Sequence, residues 1–482
     1  MDSKESQEKH QKYIDFYKRR NHSDTEYWGL GIENESYLMF EGLESVTKDF
    51  LMKNHKRERY SVDYWKNYKP DPLASTLSKL PKHVKLPVYI NSYMFRKCDL
   101  LGEHKTTYTK VPRPNPKFSD ETVDEYLRRV SPVFNKLFEK NVIYDGDTFE
   151  FTTFNFYKTT VPAVINELKG IKNEFINELN KRLVSKLTVF KKKIVYPPLN
   201  YGFARFITNP DNLAICNNGT YHINITLPTK LNADGEIEDL EKFKSVHANA
   251  IRAIQWIEPF LAALYGSPDI LHVLNPLYSA GSQRLCLSRY IGLGTYDTQT
   301  MEKGKLLDTF DYKNTKMYFN DLHKDSPYIP PTTTGYDFNY NKFTKHGIEL
   351  RIFDYFPESH LESIMNLLVL VCQYSIDNDI PDPKLCDEWN NLVINTIKSG
   401  SDTPVKPDLY LKIYKIFGVN ACYWWPFYYS QSLTPVINRI ANHLYVNYKN
   451  SPVCKKMSPN MKYIELSDYN RVIKKHQSEQ LR

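Results

Sequence analysis

Four short stretches of this 482-residue chain set ionisable, amide or hydroxyl side chains two positions apart: Glu33 and Glu35, Glu150 and Thr152, His222 and Asn224 (between Thr220 and Thr226), and Glu349 and Arg351. Side chains alternate faces along an extended strand, so each set points one way. The opposite faces carry apolar residues: Ile32 and Leu38, then Tyr221, Ile223, Ile225 and Leu227, then Ile348, Leu350 and Ile352. One such strand alone is explained by a half-solvated antiparallel sheet. The set is different, because its polar members are Glu, His, Asn and Arg rather than the Lys, Thr and Ser of a wet face. If one sheet gathers these strands, at least four carboxylates converge. Two carboxylates about 4 Å apart repel by roughly 1 kcal/mol in water and several times that at a protein-like dielectric. A cluster of that kind binds cations or takes up protons. Oxygen donors with a histidine suit Mg²⁺ or Mn²⁺. An arginine beside hard cations suits a phosphate. The chemistry expected is polyphosphate binding with phosphoryl transfer, in which positioning and charge neutralisation carry most of the catalysis.

These side chains need elements to hold them. Strands are expected over 27–40, 148–156, 219–227 and 346–353. A helix is expected to start after Ser119, with Asp120 and Glu121 at its positive end, and to run to about Lys140. Val164, Leu168, Ile171, Phe175, Leu179, Leu183 and Leu187 recur at three- and four-residue spacing and predict a long helix packed on the core. Further helices are expected over 239–264 and 361–374. The stretch 51–118 reads as irregular, and Pro112, Pro114 and Pro116 forbid regular helix there.

Composition narrows the class. At 41% hydrophobic and 25% charged residues the chain is globular rather than disordered. A net charge of +8 is mild for this length and gives no reason to expect a nucleic-acid partner. No apolar run reaches the roughly 18 residues of a membrane span, and the polar start MDSKESQEKH has no signal-like apolar stretch. The seven cysteines are scattered, with no CxxC pair, so free thiols and a cytoplasmic location are expected. There is no glycine-rich phosphate loop.

The motifs in their order resemble the glutamine synthetase and glutamate–cysteine ligase superfamily, in particular its amidoligase branch. Gly31-Ile32-Glu33-Asn34-Glu35 resembles the GxExE strand, and Asp147–Thr153 the later metal-ligand strand. Thr220–Asn224 resembles the HxN strand, Ser282-Gln283-Arg284 the Ser-x-Arg element, and Ile348–Asp354 the closing ExR strand. The resemblance spans about residues 28–355. It implies an α+β fold with a curved antiparallel sheet, backed by long helices, whose concave face holds ATP and two or three Mg²⁺ (or Mn²⁺) ions. Glu33, Glu349 and His222 would hold the ion nearest the transferred phosphate, and Glu35 and Glu150 another. Arg351 would contact the ATP phosphates, Arg284 a substrate carboxylate or acyl phosphate, and Asn224 the nucleotide or a metal water. The implied reaction activates the carboxylate of glutamate or a related amino acid as an acyl phosphate that an amine then attacks. Guanidino-kinase-like phosphoryl transfer and a catalytically silent scaffold of the same fold are the alternatives. The family's further acidic ligand before Glu150 is not evident, so either Asp145 or Asp147 substitutes for it or the site holds fewer ions. The organisation expected is a basic segment over 1–26, a catalytic domain over 27–380 with a Pro-rich insertion at 105–118, and a helical extension over 381–482 packed on it.

Overall fold

The computed structural model describes residues 11, 27–47, 49–50, 83–98, 100, 121–146, 148–153, 160–187, 191–201, 203–207, 209–215, 220–230, 232, 237–268, 281–282, 294–306, 338–340, 347–420, 429–458 and 466–481. The N-terminal segment (save Gln11), the insertion at 105–118, Asp147 and Arg284 lie outside them. In chain order the described strands are β1 (Tyr27–Ser36), β2 (Leu38–Phe40), β3 (Val88–Ile90), β4 (Val142–Asp145), β5 (Thr148–Thr152), β6 (Ile194–Val195), β7 (Phe203–Phe206), β8 (Asn209–Ile215), β9 (Thr220–Thr229), β10 (Gly294–Asp297), β11 (Glu302–Leu306), β12 (Phe338–Tyr340) and β13 (Ile348–Asp354). The described α-helices are α1 (Ser92–Lys97), α2 (Val123–Val130), α3 (Pro132–Lys140), α4 (Val161–Leu183), α5 (Leu240–Tyr265), α6 (Leu361–Asp377), α7 (Asp387–Ser399), α8 (Pro407–Ile416), α9 (Leu433–Tyr448) and α10 (Tyr469–Leu481).

The protein is mixed α and β, with sheets that do not close. Six strands form an antiparallel sheet in the order β12-β13-β9-β1-β5-β4, so the four strands expected from their polar stripes lie side by side at its centre. Ile32, Ile223 and Leu350 stand in register across β1, β9 and β13 and are fully buried. Helices α4, α5 and α6 pack behind this apolar side. β1 runs on past Tyr37 into β2, which belongs to a second, five-stranded sheet in the order β6-β2-β3-β7-β8. Strand β3 and helix α1 correct the expectation of an irregular stretch from 51 to 118.

The helix expected from Ser119 to Lys140 is two helices. Pro132 has no N–H to donate and forces Ser131 into an extended conformation (φ −134°, ψ 100°). Ser131 then caps α3, and its hydroxyl donates to Glu178 on α4 (2.6 Å). Thr122 and Glu125 close a capping box on α2.

Helix α5 carries Pro259 in its interior. Proline deprives the carbonyl four residues earlier, that of Gln255, of its helical partner. Trp389 of α7 supplies the replacement, its indole Nε1 donating to Gln255 O (3.0 Å). Trp256 Nε1 in turn donates to Pro381 O (2.9 Å). One hydrophobic cluster runs from Trp28 to Ile473, so the region after 381 shares the core of the sheet it covers. No helix among the described residues is long and apolar enough to cross a membrane.

Candidate metal centre

Alternation puts Glu33 and Glu35 on the face of β1 away from the helices, and register sets their neighbours. Glu33 stands opposite His222 on one side and Thr152 on the other, and Glu35 opposite Thr220 and Glu150. Asn224 stands opposite both Gly31 and Glu349. Between Leu350 and Phe353 the pairing of β13 with β9 slips by one residue, a bulge that falls opposite His222. Bulges re-aim side chains beside sites, and here Arg351 Nη1 donates to Glu349 Oε1 (2.9 Å).

Three strands remote in sequence thus meet. His222 Nδ1 lies 3.2 Å from Glu33 Oε2 and 3.4 Å from Glu349 Oε1, and one ligand atom of each residue lies within 4.8 Å of the other two. These side chains are 1–3% exposed. On the other edge of the ring, His222 Nε2 lies 3.2 Å from Thr220 Oγ1 and 3.8 Å from Glu35 Oε1. A proton on Nε2, donated to Thr220, leaves the Nδ1 lone pair directed toward Glu33 and Glu349. That is the neutral form in which imidazole binds a metal, with its second nitrogen held by a neighbour. Asn224 Nδ2 is buried with no hydrogen-bond partner among the described residues.

The donor set fits a divalent cation. Two carboxylates and one imidazole match Mg²⁺ or Mn²⁺ better than a thiolate-seeking ion, and the imidazole favours Mn²⁺. Glu35 and Glu150, directly opposed across β1 and β5, offer a second pair of carboxylates beside the first. Glu33, Glu35, Glu150 and Glu349 bring four carboxylates to the face that also carries Arg351, and all are at least nine-tenths buried. Asp145 on the edge strand β4 pairs with Thr148 and is exposed.

Other residues shape the site from outside the set of candidate ligands. Ser282 Oγ and the Ser267 amide both donate to Asp354 Oδ2 (2.5 and 3.1 Å), tying the first residue of the Ser-x-Arg element to the end of β13. Thr153 Oγ1 accepts from the Ile32 amide (3.0 Å) and fixes β1 where β5 ends. Gly347, at φ +92°, admits the chain into β13. A Cβ there would lie 2.6 Å from Ile225 O and 2.8 Å from His247 Nε2. His247 itself accepts from the Leu227 amide at the end of β9 (3.1 Å), and burial pushes its pKa down to about 4.

Fold and site define an α/β protein with an open antiparallel sheet whose inner strands assemble a Glu–His–Glu centre. No protein-family model matches the chain. It is 39% identical over 459 residues to the uncharacterized protein R704 of Acanthamoeba polyphaga mimivirus, across 92% of this chain and 79% of that protein, and it belongs to the same family.

Proposed function

We propose that this chain is an ATP- and Mg²⁺-dependent carboxylate–amine ligase with a glutamine synthetase-like catalytic fold. Its substrates are an amino acid and an amine, joined through an acyl phosphate. The observation that carries this reading is the convergence of Glu33, His222 and Glu349 within 4.8 Å, from three strands spread over more than three hundred residues. The adjacent Glu35–Glu150 pair and the guanidinium of Arg351 support it, because a phosphoryl-transfer site needs both cation ligands and a fixed positive charge.

In this reading Glu33, His222 and Glu349 hold one divalent ion, and Glu35 and Glu150 a second. Bound ions supply charge neutralisation between a polyphosphate and an attacking carboxylate. Arg351 orients phosphate oxygens from a guanidinium already fixed by Glu349, and Asn224 Nδ2 is a donor for the nucleotide or a bound water. Arg284 retains its proposed role toward the substrate carboxylate. The antiparallel frame makes the face rigid, so the donors need little rearrangement when charge develops.

The test is release of ADP and phosphate by the purified protein with Mg²⁺, a panel of amino acids and a panel of amines. Turnover that requires both partners supports the ligase. A stable phosphorylated guanidinium with no free phosphate points to the kinase-like alternative. No ATP consumption with any pair, together with no Mn²⁺ binding, sinks the enzymatic reading.

A further inference from the structure

On the side of the sheet away from the carboxylates, a buried cation is hydrogen-bonded to β1 and paired with a carboxylate just past the end of β13. Lys172 lies on the apolar stripe of α4, where the pattern of neighbours calls for a leucine, and its side chain is 4% exposed. Its Nζ donates to Asn34 Oδ1 (2.9 Å), forms an ion pair with Glu358, and sits 4.6 Å from the centroid of the Tyr196 ring. Asn34 is the residue between Glu33 and Glu35, so alternation turns it toward the helices, opposite Tyr221. Its amide donates to the main-chain oxygens of Glu35 (3.2 Å) and Thr220 (3.0 Å), joining β1 to β9 two residues before His222. Glu358 belongs to the single turn Glu358–His360, which follows β13 and leads into α6. A single ammonium therefore links the strand of Glu33 and Glu35, the strand of His222 and the exit of the strand of Glu349 and Arg351.

We propose that Lys172 is a positioning residue for the metal centre, clamping β1, β9 and the end of β13 from behind so that Glu33, His222 and Glu349 keep ligand spacing. This rests on the metal-binding part of the proposed function. The physical reason is that a buried ion pair is a poor source of net stability. Replacing it with a hydrophobe of similar volume is often neutral or stabilising, and its attested use is to fix one arrangement among several. Four carboxylates that repel one another favour a splayed sheet, and the clamp opposes that splay without occupying the ligand face.

The experiment measures Mn²⁺ affinity by electron paramagnetic resonance, with thermal unfolding alongside, for the full chain and for Lys172→Met and Glu358→Gln. Lys172→Met strips Glu358 and Asn34 Oδ1 of their shared cation, so it is expected to unfold below the wild-type temperature while its folded fraction binds Mn²⁺ about 10–100-fold more weakly, the range seen when a residue supporting a ligand is lost. Glu358→Gln, at a partly exposed carboxylate, is expected to lose affinity in the same direction by a smaller factor. If Lys172→Met does not fold, Glu358→Gln decides the matter. Unchanged Mn²⁺ affinity in a folded variant overturns the clamp and leaves the metal centre standing. A wild-type chain that binds no Mn²⁺ overturns both.

Discussion

A single extended run of backbone serves two buried patches of opposite chemistry. Along β1 the face away from the main core carries Glu33 and Glu35. After the chain crosses into β2, the alternation continues as Tyr37 and Met39, which join Tyr89, Tyr201, Ala204 and Phe206 in a separate small cluster. Their partners Leu38 and Phe40 stay with the main core. Tyr37 lies 5.4 Å from the rings of both Tyr89 and Phe206. The two patches are equally enclosed, yet they act on the fold in opposite senses. Burying aromatic surface stabilises by about 25 cal/mol per Å², whereas crowding carboxylates costs several kcal/mol per close pair at a protein-like dielectric of about 20. The acidic half of the strand is therefore held in place by its neighbours, and the aromatic half is one of the things that holds it.

That contrast can be broken from either end. Tyr37→Ala is expected to have the largest effect, lowering stability by about 3–5 kcal/mol through the cavity it leaves, with Mn²⁺ affinity unchanged in the folded fraction. Chemical denaturation and metal titration on the same sample check both halves. A comparable loss is expected on acidification, at the α5 histidine that accepts from the Leu227 amide of β9. The unfolded His247 imidazole takes a proton near pH 6.5, while the folded one stays neutral to about 4. Its contribution is therefore complete above pH 6.5 and falls by about 3 kcal/mol as pH drops to 4. His247→Gln should flatten that part of the stability–pH curve. Glu33→Gln is expected to behave in the reverse manner to Tyr37→Ala. Mn²⁺ binding falls by about 100-fold, close to 2.7 kcal/mol, with metal-free stability equal to wild type or higher. A Glu33→Gln protein that unfolds early without losing affinity would erase the distinction between the patches. The smallest effect is expected for Trp389→Phe, which keeps the aromatic volume but leaves Gln255 O without its donor, at about 1–2 kcal/mol and with no change in metal affinity.

How much of this can be read from the chain depends on whether the information is local. The polar stripes on β1, β5, β9 and β13 announce themselves because a period of two needs no partner to be visible. The sequence also groups Glu33, His222 and Glu349 as one set, through their resemblance to a ligase motif order, and the structure brings their ligand atoms within 4.8 Å of one another. The second sheet stays hidden because β2, β3 and β6 are three, three and two residues long, too short for any period, and exist only through their pairing. Lys172 reads as an ordinary break in the apolar pattern of α4. Its role depends on Asn34 and Glu358, which lie 138 and 186 residues away in the chain. The split of one expected helix into α2 and α3 was within reach, since Ser131-Pro132 is both a cap and a stop. The region after 381 was expected only as an extension packed on a separate domain; that it shares one hydrophobic cluster with the sheet, tied by indole-to-carbonyl bonds, is set by long-range contacts that no periodicity encodes.

The bond from Trp389 to Gln255 also sets a timetable for biogenesis. As the ribosome delivers the chain, β1, β5 and β9 emerge before α5, and α5 emerges with a proline-made gap in its hydrogen bonding. The donor that fills the gap lies 134 residues further on. Until that tryptophan is out of the exit tunnel, the helix backing the ligand strands has an unsatisfied carbonyl in the middle of an apolar surface. The helix behind the strands of Glu33, His222 and Glu349 thus gains its last backbone partner only when that distant segment arrives, a contribution of about 1–2 kcal/mol.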